Sequence, residues 1–504
     1  MLNTENKNHF TSVYEDIEIS VLGGLNDINI ESLRVTLKIN KVDSYETIRH
    51  SINLYNATQT EKFIRKISEE LEISFISVRK AILSLINELE TYRLDNQEQV
   101  ETESTNDYQL DEHEQKEALE LLESKELLES TNNLIGASGI IGEDNNRLLM
   151  YLIFTSRKTS NPLHCISFGA SGTGKTHLQS SVAKLIPNED KVEITQLSAN
   201  AFYYFKRYEL KNKLILIEDL DGADNGLLPL RELQTKQSIS KSVVQKGIGG
   251  FGKTHNLVVE GPVCVAGCTT KESIYGDNSN RCFLLYIDES LEQDQRIMDY
   301  QRMHYAGKVD IDYQLSSAKL LRNVQRLLKP IKVINPYAEF LALPKTVFKP
   351  RRTNIHYLQL IEVVTFYHQY QREEKFDEVS GEVFIETTLE DIKLANTLIK
   401  EVLLRKSDRL SGVVRDYYEN LTKYLKDNKT TSYSNGEIRR EFRITEPTLR
   451  RYHKELVLEG YIQKQDDKKD TSFCYKLLDA GEFKDLENTI EKALNLCIEA
   501  VTSS

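Results

Sequence analysis

The chain has 504 residues, of which 39% are apolar, and this is enough for about three ordinary domains. It contains no apolar run of about 18 residues or more and its first residues are polar, so we expect a soluble, cytoplasmic protein without a signal peptide or membrane segment. The net charge of −12 does not exclude DNA as a partner, because 13 of the acidic residues lie between Asp95 and Ser130 beside two lysines. Basic residues elsewhere can form local patches.

Residues 1–94 are predicted to form a small α+β domain. Alternating apolar residues at 17–21 and 33–39 predict antiparallel strands on either side of a Gly23-Gly24 turn. Apolar residues at helical spacing between Thr60 and Tyr92 predict two helices. The next segment, 95–113, is acidic and lacks periodicity, so we expect a disordered linker there.

Alternating strand-like and helical segments over 114–290 predict an α/β fold with a parallel sheet and helices on both faces. A helix from about Glu114 to Leu128 is expected to lead into this domain. Residues 291–412 are largely helical, 413–480 form a compact unit of their own, and 481–504 are assigned to a C-terminal helix or tail.

The sequence GASGTGKT at 169–176 is a complete phosphate-binding loop. It follows an apolar, strand-like run and opens a helical stretch, which is the context such a loop requires. Backbone N–H groups would face the phosphates of ATP, Lys175 would add positive charge, and the Thr176 hydroxyl would ligate Mg²⁺. The alternative, a glycine-rich turn without a ligand, leaves Lys175 and Thr176 unexplained. The predicted nucleotide-binding residues are Gly169, Ala170, Ser171, Gly172, Thr173, Gly174, Lys175, Thr176 and His177.

A second apolar run, 213–217, ends in two carboxylates. At this place ATPases hold Mg²⁺ with one carboxylate and polarise the attacking water with the next. Glu218 and Asp219 are therefore predicted as metal-binding and catalytic residues, although their order is the reverse of the usual Asp-Glu. Asp221 is a third candidate, and a plain turn residue is an equally good interpretation of it.

Two further positions are predicted to act on the nucleotide. The strand-like run at 262–267 is followed by Thr269 and Thr270, where ring-forming ATPases carry a polar sensor; a role in capping the loop is the alternative. Arg281 precedes another strand, which is the position of an arginine finger directed at a neighbouring subunit. The alternative there is a solvated surface arginine.

A hairpin with a basic and aromatic tip is predicted before the strand at 262–267. Its strands run over 238–244 and 256–260 around a glycine-rich turn. The tip could contact DNA in a ring pore, and an ordinary solvent-facing hairpin is the alternative. The candidate residues are Lys246, Phe251 and Lys253.

The segment 413–480 is predicted to be a winged helix-turn-helix. A short helix at 436–442 and an amphipathic helix at 446–459 are followed by a hairpin with a charged tip. The exposed face of the second helix is predicted to contact DNA phosphates, although acidic residues in the wing favour the alternative of a protein partner. That face carries Arg450, Arg451, His453 and Lys454.

Together these segments resemble the helicase-like AAA+ ATPase module of bacterial primase-related proteins from mobile elements, over roughly residues 30–480. With a hairpin before the sensor strand and a C-terminal winged helix, the chain is also similar in plan to minichromosome-maintenance helicases. Besides the phosphate loop, the motifs that carry the resemblance are Leu54 to Ala57, Asn145 to Leu149, Leu233 to Thr235, Glu260 to Val263, Cys268 to Thr270, Asn280 to Cys282, Ile287 to Ser290 with Gln293 to Arg296, and Arg351-Arg352 with His368 to Arg372.

The resemblance implies a homo-hexameric ring that hydrolyses ATP and moves on DNA, with Lys175 acting within its subunit and Arg281 across the interface. It also implies a second sensor at Arg351 or Arg352, which we place at Arg352; a basic helix N-terminus is the alternative. Longer relatives carry a zinc finger and a Toprim-like domain that are not found here, so we expect a separate primase partner. An ATP-switched DNA-binding scaffold without unwinding activity, as in transposition control or phage defence, is the competing hypothesis, and a transcription regulator is a third.

Overall fold

The computed structural model divides the chain into two compact units. One comprises 1–109, 199–210 and 238–261, and the other comprises 110–198, 211–237 and 262–504. The residues that the structure describes are 2–6, 9–25, 33–42, 44, 46–103, 108–169, 171–195, 197–198, 200–221, 226–246, 252–270, 280–378, 381–469, 472–478 and 481–503.

The first unit begins with an antiparallel sheet in the order β1-β2-β3-β4-β5. Alternate residues of its strands are buried and pack against the apolar faces of two helices. Asn56 is the N-cap of the first of these helices, and its side chain accepts a hydrogen bond from the Gln59 N–H at 3.1 Å. The elements are β1 Asn3–Asn6, β2 His9–Tyr14, β3 Ile17–Leu22, β4 Arg34–Lys41, β5 Thr47–Asn53, α1 Ala57–Glu70 and α2 Phe75–Glu103.

The linker prediction is wrong for residues 95–103, because α2 continues to Glu103. Glutamate and glutamine are good helix formers, so a polar, aperiodic sequence can still extend an existing helix. The predicted helix from Glu114 to Leu128 is in fact two helices, α3 Glu112–Leu122 and α4 Leu127–Ala137. The start of α3 is fixed by a capping box in which Asp111 accepts from the Glu114 N–H at 2.8 Å.

The first unit also contains an antiparallel ribbon of β9 Ser238–Lys246 and β10 Gly252–Glu260. Pairing runs without interruption from Ser238 opposite Glu260 to Lys246 opposite Gly252. Lys246 and Lys253 therefore belong to the paired strands next to the turn. Phe251 and the rest of the turn lie outside the described residues, so the DNA contacts of this hairpin stay a prediction.

In the second unit, the predicted parallel sheet is confirmed. Its order is β12-β6-β11-β8-β7, so the strand that ends in Thr269 lies between the strand before the phosphate loop and the strand before Glu218. Parallel strands end at one common edge, and this order therefore gathers the predicted site. The strands are β6 Cys165–Phe168, β7 Lys191–Ile194, β8 Lys213–Ile217, β11 Val263–Thr269 and β12 Phe283–Tyr286.

Helices cover both faces of this sheet. On one face Cys264 packs in the main core with α5 Asp144–Thr155 and α6 Lys175–Ala183, and its thiol donates to the Ile153 carbonyl at 3.3 Å. On the other face Val265 and Gly267 line a small cavity with α7 Leu227–Lys236. Burial on both faces explains why these strands are uninterrupted apolar runs.

The rest of the second unit is mostly helical and shares the same core. It includes a small sheet in the order β13-β15-β14, which the sequence did not reveal because its strands have two to four residues. No helix among the described residues is long and apolar enough to span a bilayer. The elements are α8 Leu291–Tyr305, α9 Ile311–Leu327, β13 Lys332–Ile334, α10 Pro350–Tyr367, β14 Lys375–Phe376, β15 Val383–Glu386, α11 Leu389–Ser407 and α15 Glu482–Ser503.

The region between α11 and α15 consists of helices and strands with their own apolar cluster, which includes Leu421, Ile438, Leu449 and Leu456. Gly460 ends the third of its helices with a φ of 78°, a conformation that favours glycine. The elements are α12 Gly412–Asp427, β16 Ser432–Ser434, α13 Asn435–Glu441, α14 Glu446–Leu458, β17 Ile462–Lys469 and β18 Ser472–Leu477, and the strand order is β16-β18-β17.

Candidate nucleotide site

The phosphate loop joins the end of β6 to the start of α6. Gly172 and Gly174 have φ angles of 87° and 95°, which any side chain would strain. Lys175 is the first residue of α6 and only 8% exposed. The loop thus brings a positively charged side chain and the N–H groups of a helix N-terminus to one place, which suits a phosphate. Ala170 lies outside the described residues.

Gly169 is packed too closely to carry a side chain. A Cβ at this position would lie 2.8 Å from the Thr173 hydroxyl and 3.1 Å from a carboxylate oxygen of Glu289. The first glycine of the loop therefore serves close packing, and Glu289, which follows β12, is a neighbour of the loop. Glu289 has no role assigned from sequence patterns.

Four predicted site residues gather around the buried thiol of Cys268 in β11. Burial raises the pKa of Cys268 to about 12, a hydrogen bond with Thr176 and the charge of Lys175 oppose this rise, and the charges of Asp219 and Glu218 add to it. In the sheet order β6-β11-β8 the carboxyl ends of the three strands are neighbours, so the loop after β6 and the carboxylates after β8 lie on either side of the end of β11.

Gln179 of α6 holds these strand ends together. Its side-chain carbonyl accepts from the Cys268 thiol at 3.4 Å, and its amide donates to the Ile217 carbonyl at 3.2 Å. Gln179 is 1% exposed, so these are strong constraints on the position of α6. A polar residue on the inner face of the helix is the sole sign of this role in the sequence.

Asp221 binds both threonines of the predicted sensor. Its carboxylate accepts a hydrogen bond from the Thr269 hydroxyl, and it accepts from the Thr270 hydroxyl at 2.7 Å. The Asp221 N–H in turn donates to Asp219 at 2.8 Å. Asp221 is therefore more than a plain turn residue, because it links the segment after β8 to the end of β11.

We expect Asp221→Ala to lower ATP hydrolysis by about 100-fold while nucleotide binding is kept. Without the carboxylate, Thr269 and Thr270 lose their common partner, and displacements of about 1 Å at a catalytic centre cost about that much. Phosphate release and nucleotide titration would measure the two effects. Asp221→Asn, which can still accept from one threonine, should retain more activity; equal activity of the alanine variant and the wild type would contradict the role of Asp221.

Thr176, Glu218 and Asp219 are the predicted Mg²⁺ ligands. They present one hydroxyl and two carboxylates, and hard oxygen donors of this kind suit Mg²⁺, which also keeps several water ligands and phosphate oxygens. Their common position around Cys268 fits such a site.

Arg281 lies at the amino ends of the parallel strands, whereas the phosphate loop lies at their carboxyl ends. Phe283 pairs with Cys165 at the start of both strands, and the Phe283 N–H donates to the His164 carbonyl at 2.7 Å. Arg281 donates to the Thr235 hydroxyl at the end of α7, at 3.1 Å. The length of β6, roughly 10 Å or more, separates this arginine from the loop of its own chain.

Arg352 also lies near the amino ends of the strands, close to the start of β12. It lies in the first turn of α10, and its charge acts on His356 and Lys406. The His356 ring stacks on Phe283 at 5.5 Å between centroids, and the Lys406 ammonium donates to the Cys282 carbonyl at 3.4 Å. The structure therefore does not bring Arg352 to the phosphate loop of its own chain.

The groups around Arg352 are buried and perturbed by their surroundings. Burial and the charge of Arg352 lower the pKa of Lys406 to about 8. Burial and the charge of Lys406 lower the pKa of His356 to about 3, which keeps this ring neutral. The edge that carries Arg281 and Arg352 is thus rich in positive charge.

A family model described as the MTBMA_p00010 P-loop domain matches residues 111–226. Over these residues the chain is similar to a P-loop domain. The matched span begins at the N-cap of α3 and includes the phosphate loop and Glu218-Asp219. No curated protein matches the chain.

Three solved structures are similar to this chain at low identity. A candidate ATPase from Cytophaga hutchinsonii is 13% identical with a TM-score of 0.31, covering 58% of this chain and 96% of its own. A full-length MCM homolog from Methanopyrus kandleri is 12% identical with a TM-score of 0.39, covering 80% and 75%. The C-terminal region of NrS-1 is 13% identical with a TM-score of 0.26, covering 71% and 78%. At these TM-scores the likenesses carry no inference about activity.

Beyond the P-loop domain, α14 presents the predicted basic face. Arg450, Arg451 and Lys454 are exposed, and Arg450 also pairs with Glu446 at 2.5 Å. An open depression of about 440 Å³ at the turn between α13 and α14 adds three more arginines that the sequence analysis did not single out. They are Arg439, Arg440 and Arg443.

The prediction that His453 is exposed on α14 is wrong. His453 is 2% exposed, and its Nε2 lies 2.8 Å from the Tyr417 hydroxyl in the core of this region. It follows Leu449 by four residues and precedes Leu456 by three, so it lies on the apolar side of the helix. His453 therefore packs in the core of this region and is not a candidate for DNA binding.

The buried His453 predicts a loss of stability in acid. Burial lowers the pKa of His453 to about 4 from 6.5. Between these pH values the unfolded chain binds more protons than the folded chain, so the free energy of unfolding falls as the pH drops, by about 3 kcal/mol in total. Hydrogen exchange of α14 amides between pH 7 and 4 would measure this. His453→Gln should weaken the pH dependence, and an unchanged pH dependence in this variant would contradict the assignment to His453.

Proposed function

We propose that this chain is an ATP-hydrolysing AAA+ DNA helicase or translocase. The observation that carries the proposal is the position of the phosphate loop and of Glu218-Asp219 on either side of the end of β11, within a span that matches a P-loop domain. In this arrangement Lys175 would bind the β- and γ-phosphates, Thr176 and a carboxylate would hold Mg²⁺, and the other carboxylate would orient water. Thr269 and Thr270 would contact the γ-phosphate or the water from the end of β11.

A ring is the second part of the proposal. The site needs positive charge to stabilise the transferred phosphoryl group, and Arg281 and Arg352 lie at the edge opposite their own phosphate loop. Head-to-tail assembly would place that edge against the loop of the next subunit. We propose a homo-hexamer with one ATP in each interface, in which Arg281 and Arg352 both act across the interface.

DNA is the proposed partner. We interpret 413–480 as a winged helix, because α13, a turn and α14 are followed by the β17–β18 hairpin and α14 exposes Arg450, Arg451 and Lys454. These side chains suit phosphate contacts. The β9–β10 hairpin, with Lys246, Phe251 and Lys253, would follow DNA in the pore. We place the activity in replication of a mobile element, plasmid or phage, beside a separate primase.

Strand displacement on a forked DNA tests this function. The wild type should separate the strands in the presence of ATP and Mg²⁺, and Lys175→Ala should not. A triple variant, Arg450→Ala, Arg451→Ala and Lys454→Ala, should bind duplex DNA at least 10-fold more weakly with a smaller salt dependence, because three phosphate contacts are lost. A second triple variant, Arg302→Ala, Lys308→Ala and Lys345→Ala, removes three exposed basic residues outside this face and provides the control.

An ATP-switched DNA-binding scaffold is the second candidate. The reversed Glu218-Asp219 order favours it, because the second carboxylate is one methylene shorter and also accepts from the Asp221 N–H. ATP-dependent DNA binding without strand displacement would overturn the helicase and support the scaffold. Absence of ATP binding would overturn both.

A further inference from the structure

A carboxylate reaches the phosphate loop from the segment that follows β12. Glu289 is the third residue after this strand and is half-buried. A Cβ placed on Gly169 would lie 3.1 Å from one of its carboxylate oxygens, 2.8 Å from the Thr173 hydroxyl and 3.5 Å from the Lys175 Cδ. An anion, a hydroxyl and the stem of the lysine therefore meet above the first glycine of the loop.

The main chain on both sides of Glu289 is fixed. The Ile287 N–H donates to the Phe168 carbonyl at 3.2 Å, directly before the loop. The Ser290 N–H donates to the Asp288 carboxylate at 2.9 Å, and Ser290 is the N-cap residue of α8. Glu289 can therefore enter or leave the loop by rotation of its own side chain, without movement of the main chain.

Two other carboxylates near this segment have partners away from the loop. Glu143 accepts a hydrogen bond from the Asp288 N–H at 2.8 Å. Asp416 forms an ion pair with Arg405 at 2.6 Å. The contact with Gly169 thus distinguishes Glu289 from these neighbours.

The loop is built to hold negative charge. Lys175 is 8% exposed and is the first residue of α6, where backbone N–H groups have no partner within the helix. An ammonium group that is withdrawn from water costs free energy unless a countercharge lies near it. The phosphates of ATP would supply such a charge, and Glu289 supplies one from the chain itself. Two anions cannot share one place, so the carboxylate and the phosphates exclude each other.

We propose that Glu289 occupies part of the phosphate position in the nucleotide-free loop and that ATP displaces it. This competition rests on the proposed ATP binding. ATP then binds those chains in which the Glu289 side chain has turned away, so its apparent affinity is reduced by the fraction of chains in that state. Glu289 is an internal competitor that sets the affinity of the site for phosphate groups.

Glu289→Gln tests the competition, because it removes the charge and keeps the size of the side chain. The full-length variant should bind ATP roughly 10-fold more tightly than the wild type in competition with a fluorescent nucleotide, since one like charge is removed from a half-buried site. Inorganic pyrophosphate, which lacks the ribose and base, should show the same gain, and so should Glu289→Ala. Glu292→Gln, the same change at an exposed position of α8, should bind both ligands as the wild type does.

The outcomes separate the competition from the function on which it rests. Unchanged or weaker ATP binding by both Glu289 variants would overturn the competition and leave the ATPase proposal intact. A gain with ATP but not with pyrophosphate would also overturn it, because Glu289 would then act on the nucleoside. A gain shared by Glu292→Gln would reduce the effect to net charge. If neither ligand binds the wild type or the variants, ATP binding itself is wrong and the proposed function fails with it.

Discussion

Lys175→Ala is expected to lower the kcat of ATP hydrolysis by about 100- to 1,000-fold. It should also bind ATP much more weakly. Lys175 is the first residue of α6 and almost fully buried, so its ammonium is held at the point where the loop turns. A truncated side chain leaves the negative charge of the phosphates without its fixed partner. Phosphate release and titration with a fluorescent nucleotide would measure both losses.

Lys184→Ala is the matched control for this experiment. Lys184 is the C-cap residue at the other end of α6 and is exposed, and its backbone carbonyl accepts a hydrogen bond from Arg322 at 3.0 Å. The control should therefore keep wild-type hydrolysis. Substantial activity of Lys175→Ala would contradict the assignment of 169–176 as the nucleotide site.

Local sequence patterns were sufficient for the framework of the site. About ten residues are enough to recognise each of three features: the loop, the apolar run before Glu218 and the apolar run before Thr269. The two runs are continuous because a parallel strand is buried on both faces. Once a parallel sheet is predicted, the ends of its strands must share an edge. The sequence is therefore sufficient to expect Lys175, Glu218 and Thr269 near one edge of the sheet.

Contacts between distant residues were not predictable in the same way. Asp221 binds threonines 48 and 49 positions away, and the edge shared by Arg281 and Arg352 depends on how α10 and α11 pack beside β12. One error was avoidable: the spacing of His453 from Leu449 and Leu456 already placed it on the apolar side of α14. Histidine is a polar residue type and was therefore expected on the surface, but the helical spacing of the apolar residues is the stronger signal.

Arg281→Ala is expected to lower kcat by about 1,000-fold or more while ATP binding is kept, as for an arginine that stabilises the transferred phosphoryl group. Arg281 lies at the opposite edge of the sheet from its own loop, and its Nε donates to Thr235 at 3.1 Å. Truncation should therefore leave the P-loop domain intact. Arg302→Ala, an exposed arginine of α8, is the control and should keep wild-type activity.

Mixing two inactive variants tests whether Arg281 acts across an interface. In a mixed ring of Lys175→Ala and Arg281→Ala subunits, some interfaces combine the intact loop of an Arg281→Ala subunit with the intact arginine of a Lys175→Ala subunit. Those interfaces should regain hydrolysis, so the mixture should be more active than either variant alone. If Arg281 served its own subunit, every site in the mixture would still lack one of the two groups, and hydrolysis would stay at the level of the separate variants.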